Sequence, residues 1–147
     1  MSKLRYGTQG DFNYFLSGGT VEPLAGLADY ENPTMGEGES ITLLDDEDHR
    51  LAMFGYVEPI PGLLEVWALV GQRRASPVLL HKTAKRMLDF VIADKQPRRI
   101  EAMVQSDQAT LCRWIQRLGF TEFGLRRAYG LNGETYTMFE RIPTWQQ

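Results

Sequence analysis

Between Leu63 and Val70 the chain is almost continuously apolar, broken only by Glu65, and it carries the β-formers Val66, Trp67 and Val70. A run of this kind predicts a strand buried on both faces at the centre of a sheet. The period then changes. Leu80, Ala84, Met87, Leu88, Val91 and Ile92 recur at helical spacing behind Ser76, a good N-cap, and Pro77, which suits the first helical position. This predicts a helix running to about Asp94, with Pro97 as its breaker.

Upstream, Leu4 to Tyr6 reads as a short strand, and Thr8 or Asp11 can cap a helix with Phe12, Phe15 and Leu16 on one face. Ser17-Gly18-Gly19 stops that helix, Pro23 to Tyr30 reads as a second short helix, and Asn32 to Gly38 as a loop. Ser40–Leu44, the acidic turn Asp45–Asp48 and Arg50–Val57 form a hairpin that Pro59 and Pro61-Gly62 end. Downstream, Ile100–Val104 is a strand, and Ser106 or Asp107 caps a helix bearing Leu111, Trp114, Ile115 and Leu118, which Gly119 terminates. Phe120–Tyr129 and Thr135–Arg141 are two further strands joined through Gly130, Asn132 and Gly133. Strands and helices in this order point to a mixed sheet with helices on its faces.

With 147 residues, 43% hydrophobic and 24% charged, residues 1–147 have the size and apolar content of one domain with its own core. A formal charge of -3 argues against general nucleic-acid binding. The single cysteine, Cys112, allows no disulfide framework within the chain and suits a reducing, cytoplasmic setting. No apolar run approaches the length of a membrane span, and the N-terminus lacks the core of a signal peptide.

The stretch Ala109–Phe120, ATLCRWIQRLGF, followed by Thr121–Arg127, resembles the final helix and Leu-Gly-Phe turn of the GNAT acyltransferases. From about Arg50 to Arg141 the predicted elements follow that family's order. By physics alone Leu-Gly-Phe is a helix stop with a left-handed glycine and a buried aromatic; the ordered set carries the likeness. Residues Ser76–Val104 and Arg113–Arg141 also resemble the small GNAT-like proteins of tailed bacteriophages. The resemblance implies an α/β (α+β) fold with a mostly antiparallel sheet, flanking helices and a central splayed strand pair. It further implies acetyl-CoA as acyl donor, an amine on a small molecule or protein as acceptor, and backbone contacts to the thioester and pantetheine arm at Leu69 and Val70.

In the family a Gln/Arg-x-x-Gly-x-Gly/Ala loop then cradles the pyrophosphate with backbone N–H groups at a helix N-terminus. Here the segment is Gln72-Arg73-Arg74-Ala75-Ser76-Pro77. Ala75 adds a Cβ and Pro77 removes a donor. Arg73 and Arg74 could replace that donor with charge-assisted contacts to phosphate oxygens; otherwise Ser76-Pro77 is only a helix start.

Acyl transfer to an amine needs a base, and Glu65 is the candidate, since burial in the central strand would raise its pKa. The competing reading places it near solvent, paired with an arginine. The position where the family often holds a tyrosine acid, five residues before the phenylalanine of the Gly-Phe turn, is Ile115, which cannot donate a proton. Tyr129 and Tyr136 on the closing hairpin are reserves, and both also suit half-buried packing. Asp45-Asp-Glu-Asp-His49 lacks the glycine and spaced glutamate of a calcium loop and reads as a solvated turn. His81 and Cys112 stand apart from any catalytic partner in the sequence, and no metal site is expected. Arg98-Arg99 and Arg126-Arg127 could line a groove or lie on solvated surface. Two functions follow: an N-acetyltransferase, or a non-catalytic interaction protein on the same fold. Edge strands near the closing hairpin make a homodimer conceivable.

Overall fold

The structure is a computed structural model that describes residues 2–15, 20–23, 39–71 and 75–143. In chain order its elements are β1 (Lys3–Tyr6), α1 (Gln9–Tyr14), β2 (Thr20–Pro23), β3 (Ser40–Leu44), β4 (Arg50–Ile60), β5 (Leu63–Gly71), α2 (Pro77–Lys95), β6 (Arg99–Gln105), α3 (Ala109–Arg117), β7 (Thr121–Arg126) and β8 (Tyr136–Arg141). The strands form one sheet in the order β1-β3-β4-β5-β6-β8-β7, with β2 joined to β5 off this path. Every pairing is antiparallel except β5 with β6.

Alternation along the central strands divides the core by face. Leu64 and Ala68 of β5 pack with Ala84, Leu88 and Val91 of α2 and with Ile115 of α3, in the larger cluster. Trp67 and Leu69 have the opposite parity and pack with Phe12, Phe15 and Met53 in a smaller cluster on the α1 face. Two helices therefore cover one side of the sheet and α1 the other.

Local chemistry explains most boundaries. Ser76 caps α2 by accepting the Leu79 N–H at 3.1 Å, with Pro77 in the first turn, and Gln96 closes the helix in the left-handed conformation. Thr8 caps α1 in a reciprocal capping box with Asp11. Gly119, with φ +94°, ends the last helix as the Leu-Gly-Phe reading requires.

Four expectations need correction. Pro23 belongs to strand β2 and does not open a helix; the rest of the expected helix, residues 24–30, lies outside the described residues, as do Leu16, Ser17-Gly18-Gly19 and the Asn32–Gly38 loop. Pro59 does not end β4, which continues to Ile60 across a register shift between Val57 and Ile60, where a missing N–H is tolerated. The N-cap of α3 is Gln108 without a side-chain bond, because the Ser106 hydroxyl is engaged by Thr137 at 2.8 Å. Finally, β7 ends at Arg126, so Tyr129 sits in the connection before β8.

Candidate functional site

The site starts from the way β5 and β6 part. They pair through Leu63↔Arg99, Leu64↔Ile100 and Glu65↔Glu101. Beyond that point β5 stays bound to β4 as far as Val70, while β6 stays bound to β8 as far as Gln105. Each strand is held on its outer edge and released on its inner one, which opens a V in the sheet. Val66, Trp67 and Ala68 line one arm of the V, Ala102 and Met103 the other, with Met87 of α2 and Trp114 and Ile115 of α3 beneath. The cavity between them, which opens to the surface, measures about 30 Å³, room for a water or a small group. Ile115, at the position where a tyrosine acid was sought, is part of its apolar wall.

Leu69 and Val70 stand further along the open arm. Both already have partners on β4, Met53 and Ala52, so their other pairing, Pro23↔Leu69 and Glu22↔Val70, must use the edge that β6 has left. Strand β2 therefore occupies the inner edge of β5 from Leu69 to Gly71. The buried Trp67 indole Nε1–H has no hydrogen-bond partner among the described residues, an arrangement that commonly costs about 1–3 kcal/mol. Gly55 makes the indole's position possible, since a Cβ there would fall on the ring.

Glu65 is the last residue of the paired stretch, directly at the apex of the V, half-buried and on the α1 face with Trp67. It forms no hydrogen bond or ion pair among the described residues. Burial pushes its carboxyl up, repulsion from the neighbouring Glu101 pushes it further, and Arg126 pulls weakly the other way. The expectation of an arginine partner is met only as this longer-range attraction. Glu101 itself is held by Arg99 at 2.6 Å, and Arg99 also reaches Glu140 at 3.0 Å. Three carboxylates thus lie in one row across β5, β6 and β8, and Arg99 bonds two of them, Glu101 and Glu140. A half-buried carboxylate with a raised pKa and no ion pair among the described residues is a better proton acceptor than an ordinary one.

The remaining sequence candidates are dispersed. Tyr136 is fully buried beside Gln105, and Tyr129 packs against it edge-on at 5.5 Å, with Arg126 over the Tyr129 ring. Ala75 packs on the larger core, and the Ser76 hydroxyl is committed to its helix. Gln72, Arg73 and Arg74 lie outside the described residues. In the first turn of α2, Pro77 has no N–H and Leu79 is used by Ser76, so Val78 is the amide left for an anion. The apolar lining of the V fits the methyl of an acetyl group, and the described part of this helix end offers the Val78 amide to an anion. Among the described residues no group of His, Cys, Asp or Glu is arranged to hold a metal. Asp45 and His49 bond to each other in the β3–β4 turn. No described helix is long and apolar enough to cross a membrane.

Sequence reasoning missed three features here: β2 on the inner edge, the Glu101–Arg99–Glu140 row, and the unpartnered Trp67. An i, i+2 reading of Arg99 and Glu101 on one face of β6 could have found the second.

No family model and no curated protein matches the sequence. Solved structures do match by shape. Ribosomal-protein-S5-alanine acetyltransferase from Vibrio fischeri aligns with TM-score 0.67 and 14% identity over 75% of this chain and 64% of its own. A protein named for phosphinothricin N-acetylation aligns with TM-score 0.74 and 11% identity over 98% and 99%. Spermidine N-acetyltransferase from Vibrio cholerae, solved with CoA and spermine, aligns with TM-score 0.73 and 13% identity over 96% and 95%. The chain has the GNAT acetyltransferase fold: a mixed, mostly antiparallel sheet flanked by helices, with one parallel pair.

Proposed function

We propose that this protein is an N-acyltransferase that moves an acetyl group from acetyl-CoA to an amine. The observation that carries the reading is the V between β5 and β6 with Glu65 at its apex. Acetyl-CoA supplies an activated thioester carbonyl, and the apolar cavity of about 30 Å³ has room for a small acyl group such as acetyl. Glu65, directly or through one water, takes the proton that the amine loses as its nitrogen bonds to the acyl carbon and the carbon–sulfur bond breaks. Leu69 and Val70 offer backbone groups to the pantetheine amides, and Gln72, Arg73, Arg74, Ala75 and Ser76 are the proposed surroundings of the pyrophosphate. Ile115 gives the leaving thiolate no proton, so it departs as the anion or is protonated from solvent or from Tyr129 or Tyr136.

The row of Glu65, Glu101 and Glu140, neutralised in part by Arg99, favours a cationic acceptor approaching from the α1 face. Spermidine is the first probe, because a structural neighbour acetylates it. Free thiol released from acetyl-CoA should rise with spermidine concentration, and Glu65→Gln should lower kcat by roughly 100-fold with the KM for acetyl-CoA unchanged. An unchanged kcat removes Glu65 from the mechanism. A second reading, a non-catalytic interaction protein, is favoured by Pro77 at the helix start and Ile115 in the cavity wall; it predicts no thiol release with any amine.

A further inference from the structure

The inner edge of β5 is released by β6 beyond Glu65 and is then taken up by β2 from Leu69 to Gly71. We infer that β2 is a built-in competitor for this edge: Thr20–Pro23 fills the groove that an extended, amide-bearing ligand arm must use, and has to leave before such a ligand binds. The inference rests on the acetyl-CoA reading above, and assigns that site a means of regulation.

Three observations carry it. Leu69 and Val70 have their β4 partners and their β2 partners at once, which fixes β2 on the side facing the V. An added strand and an extended ligand with amide groups satisfy the same alternating N–H and C=O groups of a strand edge, so the two exclude each other. And β2 is poorly made for permanence. It has four residues, a register shift between Thr20 and Glu22, and a proline as one of its paired positions. Pro23 has no N–H, so of the paired positions only Thr20 and Glu22 carry a donor at all. A short strand with a bulge and a proline is held by few net-stabilising bonds, and a ligand can displace it.

The chemistry it competes with is a chain of secondary amides, as in the pantetheine arm, and coenzyme A is the probe. The first measurement uses no ligand. Backbone amides of residues 69–71 that face away from β4 should be protected from hydrogen exchange in the wild type and exchange faster in Thr20→Pro/Glu22→Pro, which removes both donors. Unchanged protection overturns the inference, whatever coenzyme A does. In the second measurement, calorimetric titration with coenzyme A, the double proline variant should bind about tenfold more tightly than the wild type, and exchange at residues 20–23 of the wild type should rise on loading. Equal affinities overturn the competition while leaving the acyltransferase reading intact; no binding to either protein at millimolar coenzyme A overturns both.

A locked variant guards against a misfolded double mutant. Glu22 and Val70 are register partners, and such Cα atoms lie within the span of a disulfide. Oxidised Glu22→Cys/Val70→Cys should lose coenzyme A binding and regain it on reduction. Full binding in the oxidised form overturns the inference.

Discussion

The two halves of β5 meet different surroundings. From Leu63 to Glu65 the strand is bonded on both edges, to β4 and β6, whereas from Val66 onward β6 departs and the inner edge stays open until β2 reaches Leu69. The closed half is part of an ordinary core: Leu64 is completely buried and packs beneath α2. The open half is lined by apolar groups but leaves space, a Trp67 donor unpartnered among the described residues, and an edge that β2 occupies from Leu69 on. One strand thus serves both stability and access, and the change falls at Glu65, the ionisable residue at the boundary.

If that division is right, the largest stability effect belongs to the closed half. Leu64→Ala should cost about 3 kcal/mol in urea unfolding, with the coenzyme affinity of the folded protein kept. A cost below about 1 kcal/mol would break the comparison, because Leu64 would then not anchor the sheet.

Second in size is a buried carboxylate that does not line the V. Asp11 is fully buried and accepts from Arg5, Arg50, Thr42 and the Thr8 N–H. Burial alone would raise its pKa, but these partners together hold the carboxyl well below the ordinary range. Its contribution is therefore present above pH 4 and lost as the pH falls further. Asp11→Asn should cost about 2 kcal/mol at pH 7, less than the breaking of a fully buried pair because both arginines are partly exposed. The difference from wild type should shrink toward pH 3. A gap that widens on acidification contradicts the network.

Filling the open half should separate binding from stability. Ala68 lines the cavity, and Ala68→Leu should change stability by no more than about 1–2 kcal/mol, since part of the new volume enters existing space. It should weaken coenzyme A binding at least about tenfold. Retained affinity in a folded variant would move the ligand out of the V.

The smallest effect sharpens the boundary itself. Because Glu65 is pushed up by burial and by Glu101, its neutral form suits the fold, and that contribution is present below its ordinary value and lost as the pH rises through the raised one. Relative to Glu65→Gln, the wild type should lose a little stability as the pH rises above the ordinary glutamate range, opposite in sign to Asp11. Parallel pH profiles for the two proteins would show that Glu65 is not desolvated.

The contrast also explains what was legible in the sequence. Local signals were: Ser76-Pro77 starts α2, Gly119 stops α3 in the left-handed region, and the apolar run at Leu63–Val70 is the central strand. Long-range pairing was not. Pro23 reads as a helix start because nothing nearby reveals that residues 69–71 offer a vacant edge. Asp11 reads in the sequence as a helix cap, yet it gathers Thr42 and Arg50 from strands that follow in the chain. Pro59 survives inside β4 because the register shifts there. Ser106 lost the capping role to a hydroxyl partner on β8. At the site, Glu65 was visible as a carboxylate in an apolar run, while Glu101 and Arg99 became its neighbours only through the parallel pairing of β5 with β6.

The most direct measurement of the central claim is thermal unfolding of the wild-type chain with increasing coenzyme A. Ligand at 100 times its dissociation constant adds about 2.7 kcal/mol, which for a domain of this size raises the Tm by roughly 5–10 °C. The account predicts such a saturable rise, blunted in Ala68→Leu; a Tm unmoved by millimolar coenzyme A would contradict it.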